Sequence, residues 1–146
     1  MIELKVVPHS GIGPILLGES RASVRRAMEE VGLRFESDTA SLDYFCENSI
    51  QVEYYEGTAG FIGVASHAMF TAIYQGRNVF DTPAKDLFAL AADLDASGSH
   101  RFNRNEYMFP KQILTLCDAD TQYDPLERRA IWGQVGLGDA RYLEMA

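Results

Sequence analysis

The chain has few of the residues that staple, bend or charge a protein positively: two cysteines, one tryptophan, five prolines and three histidines in 146 residues. Two cysteines cannot form the dense disulfide framework of a small secreted scaffold. Cys46 and Cys117 each lie in strand-like sequence and are expected as two free, buried thiols in a reducing compartment. His9, His67 and His100 are far apart, and none has a neighbour that suggests nucleophilic catalysis. No apolar run approaches the ~20 residues of a membrane helix. Thirteen Lys and Arg face twenty-one Asp and Glu, a net charge of −8 with a pI near 4.8. That deficit of cations opposes binding to nucleic acid or to an anionic membrane surface. It favours fast association with a basic partner.

What is present reads as an ordinary globular α+β chain, 47% apolar and 23% charged. Its length buries roughly 68–70% of the surface of its unfolded form, enough for one core without staples. Met1 to Val7 alternates apolar and polar residues, as a strand does and a secretory leader does not. The expected location is therefore the cytoplasm. Ser20 has the chemistry of a helix N-cap, and Val24, Ala27, Met28 and Val31 follow at helical spacing before the stop at Gly32. The runs Leu42–Cys46, Ser49–Glu56, Gly60–Ala65 and Phe70–Gln75 read as strands, with Glu56 to Gly60 as a hairpin loop. Ile50, Val52 and Tyr54 alternate with Gln51, Glu53 and Tyr55, the pattern of a strand with one dry and one wet face.

The pattern then restarts. Thr82 followed by Pro83 predicts a second N-cap, with Ala84, Leu87, Phe88 and Ala91 on one helix face and a stop near Asp95. Strand-like runs follow at Tyr107–Phe109, Gln112–Cys117, Ala130–Val135 and Ala140–Glu144. The expectation is a single domain, 1–146, of two pseudo-repeats, 1–76 and 77–146. Each is a helix leading into an antiparallel sheet of about four strands, forming one continuous or paired sheet with the helices on one face.

Gly11-Ile12-Gly13-Pro14-Ile15, then Leu17-Gly18-Glu19-Ser20, Val24 and Gly32, resembles the Gly-x-Gly-Pro-x-x-Leu-Gly-Met-Ser opening of many small bacterial proteins. A related helix-plus-sheet unit occurs in the beta-lactamase inhibitory protein, which uses two in tandem, and in a small outer-membrane assembly lipoprotein. The motif covers about twenty residues, and the rest is similar only in the order of elements. Glu19 stands where methionine is usual, and the inhibitor's secretion signal and cysteine framework are missing. The resemblance implies a concave sheet that grips another protein through aromatics; likeness of fold does not itself establish function.

The site-like stretches each depart from a working site at a nameable residue. Ser10-Gly11-Ile12-Gly13 is followed by Pro14, which has no N–H to offer a phosphate, so it reads as a turn. Asp93, Asp95 and Gly98 imitate the start of a calcium loop, but Arg104 stands where the closing glutamate belongs. Asp118, Asp120 and Asp124 repeat the pattern with Arg129 at that place. No Gly-x-Ser-x-Gly or cysteine motif marks a nucleophile. Aromatics are abundant in the strands, and adjacent Tyr54 and Tyr55 must point to opposite faces.

The leading expectation is a non-enzymatic protein-binding module, an immunity- or inhibitor-type protein masking a basic partner, with Glu53, Tyr55, Tyr74 and Trp132 as contacts. The alternative is a small-ligand or metal-binding protein, or a hydrolase, using the acidic loops or a helix–sheet pocket. Self-association into a homodimer is a third reading. No cofactor is called for.

Overall fold

The computed structural model describes residues 1–96, 101–103, 106–119 and 129–145. The fold is α+β, and the described residues form two sheets and three α-helices. Strands β1 (Ile2–Val7), β2 (Gly11–Ile12) and β3 (Ile15–Leu16) come first, then α1 (Arg21–Glu30). A meander follows: β4 (Phe35–Asp38), β5 (Leu42–Phe45), β6 (Ile50–Tyr55) and β7 (Thr58–Ala65). Next are β8 (Phe70–Tyr74), β9 (Arg77–Asn78), a 3-10 turn at Val79–Asp81, and α2 (Ala84–Asp95). The second meander is β10 (Arg101–Asn103), β11 (Glu106–Phe109), β12 (Leu114–Cys117) and β13 (Gln134–Gly138), and α3 (Ala140–Met145) follows it.

The large sheet has the order β10-β11-β12-β13-β7-β6-β5-β4. Each helix-led meander thus keeps to itself, and the two join through their last strands, β7 and β13, which pair antiparallel. Gly63 lies opposite Gly136, Ile62 opposite Leu137 and Val64 opposite Val135. Four strands thus lie on either side of that seam, β10 to β13 and β7 to β4. The expected halves, 1–76 and 77–146, do not map onto separate sheets, because β1, β2, β3, β8 and β9 form a five-stranded sheet of their own. The Phe70–Gln75 run does not extend the first meander. As β8 it pairs in parallel with β1, Ile2 opposite Phe70, and Phe35–Asp38 supplies the fourth meander strand instead. The burial of β8 is nearly continuous, as a strand covered on both faces requires.

Local chemistry accounts for the boundaries. Ser20 caps α1 by accepting the Ser23 N–H. In β6, Ile50, Val52 and Tyr54 are buried and the intervening residues half-buried. Glu56 and Gly57 both take positive φ, which tightens the β6–β7 loop to two residues with Tyr55 opposite Thr58. The Gly-rich turn is a hairpin: a Cβ at Gly11 would lie 2.1 Å from the Ile15 carbonyl, and Gly13 donates its N–H to Lys5 O. Its amides are spent within the sheet.

Thr82 does not cap α2. Its hydroxyl turns back to donate to the Asn78 carbonyl at 2.7 Å, Pro83 occupies the N-cap position, and the Ala84 N–H donates to Ala130 O. The Ala140–Glu144 run is helical rather than extended. Asp139 accepts the Arg141 N–H on its carboxylate and those of Tyr142 and Leu143 on its carbonyl, starting a turn directly after β13.

Leu4, Val6, Ile12, Val24, Met28, Phe45, Ile62, Phe70, Leu87, Phe109 and Leu137 belong to a single buried cluster shared by both sheets, α1 and α2. α3 packs on β7 and β13 from the opposite face of the large sheet, where Tyr142 stacks on Phe61 at 4.2 Å. The helices therefore occupy both faces, not one. Cys46 and Cys117 are free and buried.

Candidate functional site

Two regions of the large sheet gather charged and aromatic side chains. The first is the β4 end. Arg21 and Arg25 stand one turn apart on α1 and reach over β5 to Asp43, which is 0% exposed. Arg21 donates to Asp43 Oδ1 from Nε at 3.1 Å and Nη2 at 2.8 Å. Arg25 donates to Oδ1 at 2.6 Å and Oδ2 at 2.9 Å, and Tyr54 Oη donates to Oδ2 at 2.9 Å. Arg21 also ties down the carbonyls of Thr39, Ala40 and Leu42. Burial alone would raise the Asp43 pKa, but the hydrogen bonds from Arg25, Arg21 and Tyr54 together hold it below the usual carboxylate range. Burial, and then the hydrogen bond to Asp43, push the Tyr54 phenol up.

This knot of charge supports an open apolar feature. The Arg25 guanidinium lies 4.6 Å from the centre of the Phe35 ring, which meets Phe45 edge to face. Leu33, Phe35 and Phe45 line a cleft of about 510 Å³ with Arg25, Glu29, Gly32 and Arg34 around them. Leu33 and Phe45 are buried, whereas Phe35 is 41% exposed. All four residues of β4 are exposed, and β4 ends the sheet. Glu29, Glu30, Glu36 and Glu47 are exposed around it.

The second region lies under α3. Phe61 spreads over the paired glycines: a Cβ on Gly136 would fall 2.5 Å from its ring. Tyr142 stacks on Phe61 and donates to Glu106 Oε1 at 3.0 Å, while Arg141 sits over the Tyr55 ring and donates to the Tyr55 carbonyl. Burial and then the Glu106 charge push the Tyr142 phenol up; burial likewise raises Glu53, with Glu106 adding to it. Cys117 is pushed up to about 12, by burial first and then by Glu106, so it is a thiol and not a thiolate at neutral pH.

The residues singled out from the sequence fall in different places. Glu53 and Tyr55 are half-buried neighbours beneath α3. Tyr74 and Trp132 are interior, 1% and 5% exposed. Tyr74 is pushed up to about 12 by burial and donates to Gln112 Oε1; the Trp132 indole donates to the Ala84 carbonyl at 2.9 Å. Both therefore serve packing rather than the surface, because each large ring fills a helix–sheet gap where its polar atom finds a partner.

Asp95 is also buried. It accepts the backbone N–H groups of Lys111 and Gln112 and the Gln112 amide, which makes it an anchor for the loop before β12. Asp93 is exposed on α2 and Asp118 is half-buried. Asp120 and Asp124 lie outside the described residues, as does Arg104. Arg129 reaches Asp81 at 3.0 Å. Among the described residues, no three metal-ligating side chains come together.

Sequence reasoning missed the Asp43 knot and the cleft. The one trace was the i, i+4 spacing of Arg21 and Arg25, which alone reads as a solvated helix face. The chain matches no family model, no curated protein and no solved structure.

Proposed function

We propose that this chain is a non-enzymatic module that holds a basic protein partner, in the manner of an immunity or inhibitor protein. The observation that carries the reading is the β4 end of the large sheet. There an exposed aromatic, Phe35, stands among the exposed carboxylates Glu29, Glu30, Glu36 and Glu47, on a chain of net charge −8. Aromatic side chains supply binding area at low entropy cost, and surrounding like charge speeds encounter with an opposite partner. The resemblance of the opening motif to the inhibitor's helix-plus-sheet units supports the same reading. The contact region shifts, however, from the sheet face to the sheet end, since α3 covers the centre of that face.

The test is affinity purification from the source cells, followed by reconstitution of the captured protein with purified chain. The expected result is a 1:1 complex with a basic protein whose association rate falls steeply with salt. Reversing Glu29, Glu30 and Glu36 together to lysine should slow association at least tenfold. A captured partner that is acidic, or a rate indifferent to both salt and reversal, would refute the reading.

A further inference from the structure

The β4 end has the attributes of a strand-docking edge, and we infer that it takes a short, basic, extended segment of the partner, seated with one apolar side chain in the adjoining cleft. The inference rests on the function proposed above and specifies its mode.

The edge itself is the first observation. Among the described residues no segment pairs with the outer side of β4, and Phe35, Glu36, Ser37 and Asp38 are all exposed. An open edge offers backbone N–H and C=O groups to any added strand, which is how extended peptides augment sheets. The register with β5 shifts between Phe35 and Ser37, so Glu36 is an extra residue in a bulge. A bulge kinks and twists an edge, which limits it to a short added segment.

Charge decides between a second copy and a different chain. Antiparallel pairing of β4 with its own copy would set Glu36 and Asp38 of each chain beside those of the other. Like charges across a strand pair are destabilising. Asp38 is engaged by Arg25 at 3.0 Å, whereas Glu36 accepts the Glu47 N–H at 3.4 Å and lies 4.0 Å from Arg34. Exposed Glu29 and Glu30, and Glu47 beside His67, add to the negative charge. The same carboxylates that repel a copy attract lysines and arginines on an incoming strand.

The cleft supplies the anchor. Its volume of about 510 Å³ lies within the ~300–1,000 Å³ usual for binding pockets. Its floor is Leu33 and Phe45, its exposed wall is Phe35, and Phe35 also begins the edge strand. Exposed Val31 extends the apolar surface at the end of α1. A strand lying along β4 would therefore run past the mouth of the cleft, and the Arg25 knot keeps the Phe35 wall upright.

The probe is a seven-residue peptide, capped at both ends, that alternates lysine with valine around a central phenylalanine. Its control replaces each lysine by glutamate. Titration into isotope-labelled whole protein should shift the amide signals of 33–38 and slow hydrogen exchange at the outer amides of β4. The glutamate peptide should bind at least tenfold more weakly. Phe35→Ala and Glu36→Lys change residues exposed on β4; with an unchanged circular dichroism spectrum and cooperative melting showing that the fold persists, each should weaken the lysine peptide at least fivefold. Shifts that map elsewhere, equal binding by both peptides, or dimerisation of the free chain through β4 would overturn the inference. Binding of the whole basic partner that survives Phe35→Ala unchanged would overturn this mode while leaving the proposed function standing.

Discussion

Replacing Asp43 by asparagine tests whether the charge knot at the β4 end is a keystone of the fold. The substitution keeps shape and one acceptor oxygen, so Arg21 and one bond from Arg25 persist. It sets an amide N–H₂ against Arg25 Nε, which can only donate, and against Tyr54 Oη, which must turn to accept. A hydrogen bond to a charged group contributes ~1.5–3 kcal/mol, and breaking one side of a buried ion pair costs about 3–5 kcal/mol. Arg21 and Arg25 are 26% and 38% exposed, so water re-solvates them in part. The cost should therefore sit at the low end, about 2–3 kcal/mol. With a urea m-value of roughly 1–3 kcal/mol/M, the midpoint should fall by about 0.7–3 M at unchanged m. The pH dependence carries a sign that packing damage would not. Asp43 titrates lower in the folded protein than its ordinary ~3.9 when unfolded, so its stabilisation is full above that value and fades as pH falls through the folded pKa. The stability gap between wild type and variant should thus be widest near neutrality and shrink below about pH 4. A midpoint within 0.2 M of wild type, or a gap that widens in acid, would show that the knot does not hold the β4 end.

Three further predictions follow from the packing. Gly136→Ala would place a Cβ 2.3 Å from Thr115 Oγ1 and 2.5 Å from the Phe61 ring, and should destabilise by about 2–3 kcal/mol in thermal unfolding. Gly63→Ala meets chiefly the movable tip of Gln134 and should cost clearly less; equal costs would contradict the account of Phe61 lying across the pair. Cys46 and Cys117, buried and held as thiols, should react with an aromatic disulfide reagent only after denaturation, when two thiols per chain appear. The buried Trp132 should emit at short wavelength in the native state and shift red in step with loss of circular dichroism; a water-like native spectrum would contradict its placement.

Local pattern carried a good part of the fold. The 3.6-residue spacing after Ser20 and after Pro83 marks α1 and α2, because each helix buries one stripe; only α1 has the side-chain cap its sequence suggests. The alternation of Ile50 to Tyr55 marks β6, because a strand with one dry face has no other way to be written. The restart after Thr82 marks a second helix followed by further antiparallel strands, since both signals are local. The sign of the charge is a matter of composition alone.

What the tertiary structure decided is every pairing between distant residues. β8 reads like any apolar strand, and only folding brings it beside β1 in parallel. Tyr74 and Trp132 have the composition of interface anchors, yet they fill gaps that exist only once α2 and the sheets meet. Asp43 alternates with apolar neighbours as a surface residue would. Its burial depends on two arginines about twenty positions earlier, which a one-dimensional pattern does not place opposite it. The site at the β4 end is of the same kind. Leu33 and Phe35 lie two residues apart, but Phe45 comes from β5 and Arg25 from α1, so the cleft is a property of their assembly and not of any one segment.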